Sequence, residues 1–180
     1  MNEFKEIETY ITEWIKEVSI LRPELGGHAI CPFASKAKYK IIQCNSKDIT
    51  VFKDYDVVIY VIEDHFSLEE VQKWVEYHNE RSKIWSFFED CASYDTYIQG
   101  IKTNNGKYNL IIGQPIEKLR KFREKLAKTS YYTYWKEEYL QEILQEDYNL
   151  IQTRDSNPVK SSDLLNQEKI NESTNAQRDQ

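Results

Sequence analysis

No run of about eighteen apolar residues occurs in this chain, so a membrane-crossing helix is not expected. The N-terminus, Met1-Asn2-Glu3-Phe4-Lys5-Glu6, is acidic and amphipathic and lacks the charged-then-apolar plan of a signal peptide. Cysteine is scarce. Cys31, Cys44 and Cys91 are scattered singly and make no disulfide framework, so a reducing, cytoplasmic compartment is the expected one. Excess positive charge is also lacking. A formal net charge of −6 argues against non-specific binding to a phosphate backbone, which wants clustered Lys and Arg, and favours a protein or small-molecule ligand over nucleic acid. No internal repeat is visible.

Aromatic residues are abundant: thirteen tyrosines, seven phenylalanines and four tryptophans, enough to supply much of a core by ring burial. The length of 180 residues fits one domain with a tail. Residues 1–150 are expected to form a single α+β domain. Residues 151–180, rich in Asn, Gln, Ser, Asp and Lys, bury too little apolar surface to offset ordering entropy and are expected to be a disordered polar tail.

Periodicity predicts the elements. Phe4, Ile7, Ile11, Trp14, Ile15 and Val18 recur at steps of three and four, one face of a helix from about Glu3 to Ile20. Arg22-Pro23 ends it. Tyr39–Cys44 reads as a strand, Ile49–Phe52 as a second brief one, and the β-branched run Val57–Ile62 as a central strand covered on both faces. Ser67-Leu68-Glu69-Glu70 is a capping box opening a helix to about Arg81 that buries Leu68, Val71, Trp74 and Val75. Ile84–Phe88 is a further strand. Tyr97–Thr103 and Lys107–Ile112 flank Asn104-Asn105-Gly106, which reads as a type I′ hairpin turn. Gln114-Pro115 starts a helix with the stripe Ile116, Leu119, Phe122 and Leu126, and Tyr131 to about Tyr148 forms a last one. The order predicts a small antiparallel or mixed sheet with helices packed on one face, a ferredoxin-like arrangement being the nearest simple template.

The segment Gly26-Gly27-His28-Ala29-Ile30-Cys31-Pro32-Phe33-Ala34 concentrates the chemistry. Paired glycines let the backbone turn and approach other groups closely, and proline fixes the torsion after the cysteine. A cysteine held there either projects its sulfur from a rigid loop or is a small buried hydrophobe. His28-x-x-Cys31 has metal-ligand spacing and, with Cys44 and Cys91, would complete a His-Cys₃ set. Zinc sites, however, draw ligands from two close pairs, and no metal is expected. Glu63-Asp64-His65 follows the central strand, where carboxylates beside an imidazole make either an acid/base pair or a polar loop complementing the next helix dipole. Lys118, Arg120, Lys121, Arg123, Lys125 and Lys128 make one helix basic. Interleaved Glu117 and Glu124 and the acids beyond it favour a solvated face with intrachain ion pairs.

Cys31-Pro32-Phe33-Ala34 resembles the active-site segment of glutaredoxins, in which a Cys-Pro-aromatic-Cys turn opens a helix whose dipole lowers the thiol pKa. Ala34 stands where the second cysteine belongs, so exchange within the motif is impossible. Trp14 and Ile30–Ala34 also resemble an uncharacterised bacterial family that begins with a tryptophan-bearing helix followed by a Leu-Cys-Pro-Phe-Ala segment. That family's later His-Pro pair is missing around Phe87 to Cys91. The likeness implies common architecture and no activity.

Two functional classes follow. One is a non-catalytic binding or accessory module with an aromatic-rich surface, favoured because no complete nucleophile-base-orienter set is visible. The other is a thiol-dependent enzyme or redox protein using Cys31 with His28 or His65 as neighbouring base. Which cofactor would serve either class is unknown from the sequence.

Overall fold

The structure, a computed structural model, describes residues 3–45, 48–63, 66–137 and 140–141. The described residues up to Leu140 belong to one compact unit, and the expected boundary at residue 150 and the expected tail over residues 151–180 lie outside the described residues.

This unit is α+β with a mixed sheet. Its elements are helix α1 (Glu3–Val18), strands β1 (Tyr39–Cys44) and β2 (Val57–Ile62), helix α2 (Leu68–Arg81), strands β3 (Trp85–Asp90), β4 (Tyr97–Ile98), β5 (Ile101–Lys102) and β6 (Asn109–Pro115), and helix α3 (Ile116–Ala127). Among the described residues four strands make the main sheet in the order β1-β2-β6-β3. β1 is parallel to β2, and β6 is antiparallel to both β2 and β3.

Strand β2 organises the packing because successive side chains leave it on opposite faces. Ile59 and Val61 meet Ile7, Ile11 and Ile15 of α1 on one face. Val58, Tyr60 and Ile62 meet Val71 and Val75 of α2 on the other. Each fully buried aliphatic side chain of α1 contributes about 1.5–3 kcal/mol. The helices therefore lie on both faces, not on one as the element order suggested. The chain from β2 through α2 to β3, with β6 inserted between the two strands, is one split βαβ unit of the kind found in ferredoxin-like folds. The likeness stops there, because β1 joins in parallel through a connection with no helix among its described residues.

That connection includes Ile49–Phe52, which is coil and not a strand. Ile49, Val51 and Phe52 pack their side chains onto the α2 face of the sheet, a role that needs no ladder partner. The expected hairpin at Asn104-Asn105-Gly106 is also corrected. The tight turn lies at Gln99-Gly100, both with positive φ, and joins β4 to β5. Strand β6 pairs instead with β2 and β3. Helix α3 is only half-buried along its stripe, and Tyr131–Tyr134 is a 3₁₀ turn, with α-helical backbone resuming at Glu137.

The two sheet edges differ. On β3, the Asn79 side chain donates to the Phe87 carbonyl (2.9 Å) and accepts from the Phe87 N–H (2.8 Å), and Ser82 Oγ accepts from the Trp85 N–H (2.9 Å). Side chains from α2 and its C-terminal end thus occupy the outward backbone groups, one of the ways proteins blunt an edge. β1 pairs with β2 alone, and no other strand among the described residues borders it.

Candidate functional site

The glycine-cysteine loop is a packed wedge. Pro23–Leu25 makes one 3₁₀ turn ended by Gly26 in the left-handed conformation at φ +61°, and Arg22 and His28 then form an antiparallel bridge. Gly26 is needed twice, for its φ and because the Tyr134 phenol lies where a Cβ would stand. The Cys31 N–H donates to the Val18 carbonyl (2.8 Å), pinning the loop to the end of α1. Tyr131 donates its hydroxyl to the Ile30 carbonyl from the other side.

Cys31 sits part-buried beside the cluster of Val18, Leu25, Ile30 and Ile98, which also receives Trp14. Burial pushes its thiol up, against the opposing pull of the Phe33 and Ala34 backbone amides. No α-helix opens here. Ala34–Lys36 is a single 3₁₀ turn, too short to supply the dipole that activates a glutaredoxin thiol. Phe33 stacks on Phe122 of α3, with centroids 4.1 Å apart. The His28 Nε2 lies 3.0 Å from Ser130 Oγ, and its ring meets Tyr131 edge-on. Among the described residues no hydrogen bond joins it to Cys31. Cys44 and Cys91 belong to the α2-side cluster, apart from Cys31, so the three thiols are not gathered as ligands. His65 and Asp64 lie outside the described residues; Glu63 is exposed. On the basic helix, Lys118 pairs with Asp56 and Arg120 with Glu124, in keeping with an ion-paired face.

A second cluster was not anticipated. Asp90, the last residue of β3, accepts from the Asn105 backbone N–H (3.2 Å) and from Asn105 Nδ2 (2.8 Å) through the same oxygen. Asn105 Oδ1 accepts from the Lys107 and Tyr108 amides, and its carbonyl accepts from the Tyr10 hydroxyl of α1 (2.6 Å). Asn104 donates to the Cys91 carbonyl, and Trp14 Nε1 donates to the Thr103 carbonyl (3.2 Å). These contacts clasp the 91–108 loop to the end of β3 and to α1. Burial pushes the Asp90 carboxyl up to about 6 despite the Asn105 hydrogen bonds and the Lys102 charge. Burial likewise raises the Cys91 thiol, to about 11, with Glu89 and Asp90 adding to it. The available signal was the adjacent asparagines, whose side chains form local turns with the backbone as readily as they promote type I′ hairpins.

The third feature is a groove of about 720 Å³ between α1 and the edge strand β1. Phe4, Tyr39 and Ile41 form its apolar floor, and Tyr55 borders it. Along the α1 wall Lys5 and Lys16 flank Glu8 and Glu13, and Lys40 of β1 also lines the groove. It arises because α1 turns its isoleucine stripe to β2 and β6 and leaves its wetter flank leaning over β1.

Among the described residues no group of three or more His, Cys, Asp or Glu is placed to hold a metal ion, and no helix is long and apolar enough to cross a membrane. Compared with protein families, curated proteins and solved structures, the chain matches none.

Proposed function

We propose that the protein is a non-catalytic binding module that takes an extended segment of a partner protein in the groove between α1 and β1. One observation carries this reading: among the described residues β1 is an edge strand paired on one side only beside an apolar floor, whereas the opposite edge is occupied by Asn79 and Ser82. A strand that pairs on one side only offers hydrogen bonds to an added strand, and the adjoining pocket selects its side chains. The thiol-enzyme alternative is less well supported, since the Cys31 pKa is raised and the His28 imidazole is engaged with Ser130.

The test is selection of binders from an unbiased library of displayed peptides, followed by affinity measurement on wild type and Thr9→Trp. Thr9 is exposed on the groove wall, so tryptophan there fills the groove without entering the core. Selected peptides should bind the wild type and lose at least about tenfold on Thr9→Trp, as expected when a central contact is blocked. An empty selection, or binders indifferent to Thr9→Trp, would overturn the reading.

A further inference from the structure

We infer that the segment bound along β1 is acidic at every second position, with apolar residues between. This rests on the groove reading above and deepens it.

The two faces of β1 differ in chemistry. Tyr39 and Ile41 point to the α1 side, where they pack with the cluster built on α1. Ile42 points to the other side, toward the α2-face cluster. Lys40 shares that side, its Nζ lying 3.9 Å from the centroid of the Phe52 ring and 5.7 Å from that of Tyr55. Lys38 comes to the same ring, 4.9 Å from the Tyr55 centroid. The aromatic faces hold both ammonium groups beside the strand.

An added strand alternates its side chains between the same two sides. One set enters the groove over the apolar Phe4, Tyr39 and Ile41, and Lys40 reaches the groove's lining as well. The other set emerges beside Lys38 and Lys40. Carboxylates suit that second set, because Lys38 and Lys40 lie together there on a chain whose net charge is −6, and Asp56, the acid beside Lys38, is also paired with Lys118. The same lysines disfavour a second copy of this chain as occupant: pairing β1 with another β1 sets lysine pairs from two copies at one edge.

The experiment compares two fluorescein-labelled peptides of about eight residues, enough to run the length of the six-residue β1. One alternates valine with glutamate and the other valine with lysine. Anisotropy titrations use the full-length protein as wild type, Lys38→Gln/Lys40→Gln and Lys38→Glu/Lys40→Glu, with thermal melts to verify folding. The glutamate peptide should bind wild type about tenfold tighter than the lysine peptide, the combined effect expected of a few half-exposed ion pairs, with a margin that shrinks in high salt. The two affinities should converge on the glutamine variant and invert on the glutamate variant.

Equal binding of both peptides to wild type, or tighter binding of the lysine peptide, would overturn the acidic preference and leave the groove reading standing. Binding of neither overturns the inference too, and the library selection with Thr9→Trp then decides the groove reading separately. A wild-type dimer in sedimentation that Thr9→Trp dissociates would identify a second copy as the occupant and overturn the acidic partner.

Discussion

Replacing Asp90 by asparagine should abolish a loss of stability that the wild type suffers as pH rises from about 4 to 7. Asp90 uses one carboxylate oxygen to accept both Asn105 hydrogen bonds, and an asparagine Oδ1 can take over that role with little change of shape. What disappears is a titration. In the folded protein the carboxyl is pushed up from 3.8 to about 6, chiefly by burial, whereas the unfolded chain keeps the ordinary value. Below the ordinary value both states are protonated and the group contributes no penalty. As pH rises toward the folded value the unfolded state releases its proton first, so stability falls. The loss is complete about one unit above the folded value. About two units of separation correspond to about 3 kcal/mol at most, since each unit is worth about 1.4 kcal/mol. Urea unfolding of wild type and Asp90→Asn from pH 4 to 7 checks this. The difference between them should move in favour of the variant by up to about 3 kcal/mol across that window. Subtracting the two curves cancels the other carboxylates. Curves that stay parallel would refute the assignment of a buried, desolvated charge to Asp90.

Cys31, its thiol raised by burial, should alkylate with iodoacetamide at neutral pH more slowly than the same cysteine in the unfolded chain, with Cys91 also slowed; a Cys31 that reacts faster folded than unfolded, read site by site by mass spectrometry, would revive the nucleophile reading. Gly26→Ala should cost about 1–2 kcal/mol for the left-handed backbone alone, and more for the collision with Tyr134. Adding Tyr134→Ala should recover the collision part but not the backbone part, and strict additivity in that cycle would show that the two residues do not meet.

Local signals were legible wherever they rested on contacts close in sequence. The capping box at Ser67 and Glu70 is present with both reciprocal bonds, and α2 runs from Leu68 to Arg81 as its spacing predicts. The unbroken apolar run Val57–Ile62 is an inner strand with both faces covered. Pairing was less legible. The turn chemistry of Asn104-Asn105-Gly106 fits a hairpin, yet Asp90 captures Asn105 and the Asn104 side chain donates to the Cys91 carbonyl, both reaching back to the end of β3. The hairpin forms at Gln99-Gly100 instead.

The candidate site follows the same division. Composition and spacing determined the class, the helix faces and the prominence of the Gly26–Ala34 loop, because a buried stripe or a positive-φ turn demands particular residues at fixed offsets. They did not determine that Cys31 would be wedged beside Val18 and Trp14, that Asp90 would be clasped by Asn105, or that β1 would lie at an open edge beside α1. Those are facts of strand order and crossing. An edge strand and an inner strand can carry the same alternation of side chains, and only the neighbours brought by the folded chain decide which one is paired on both sides and which on one.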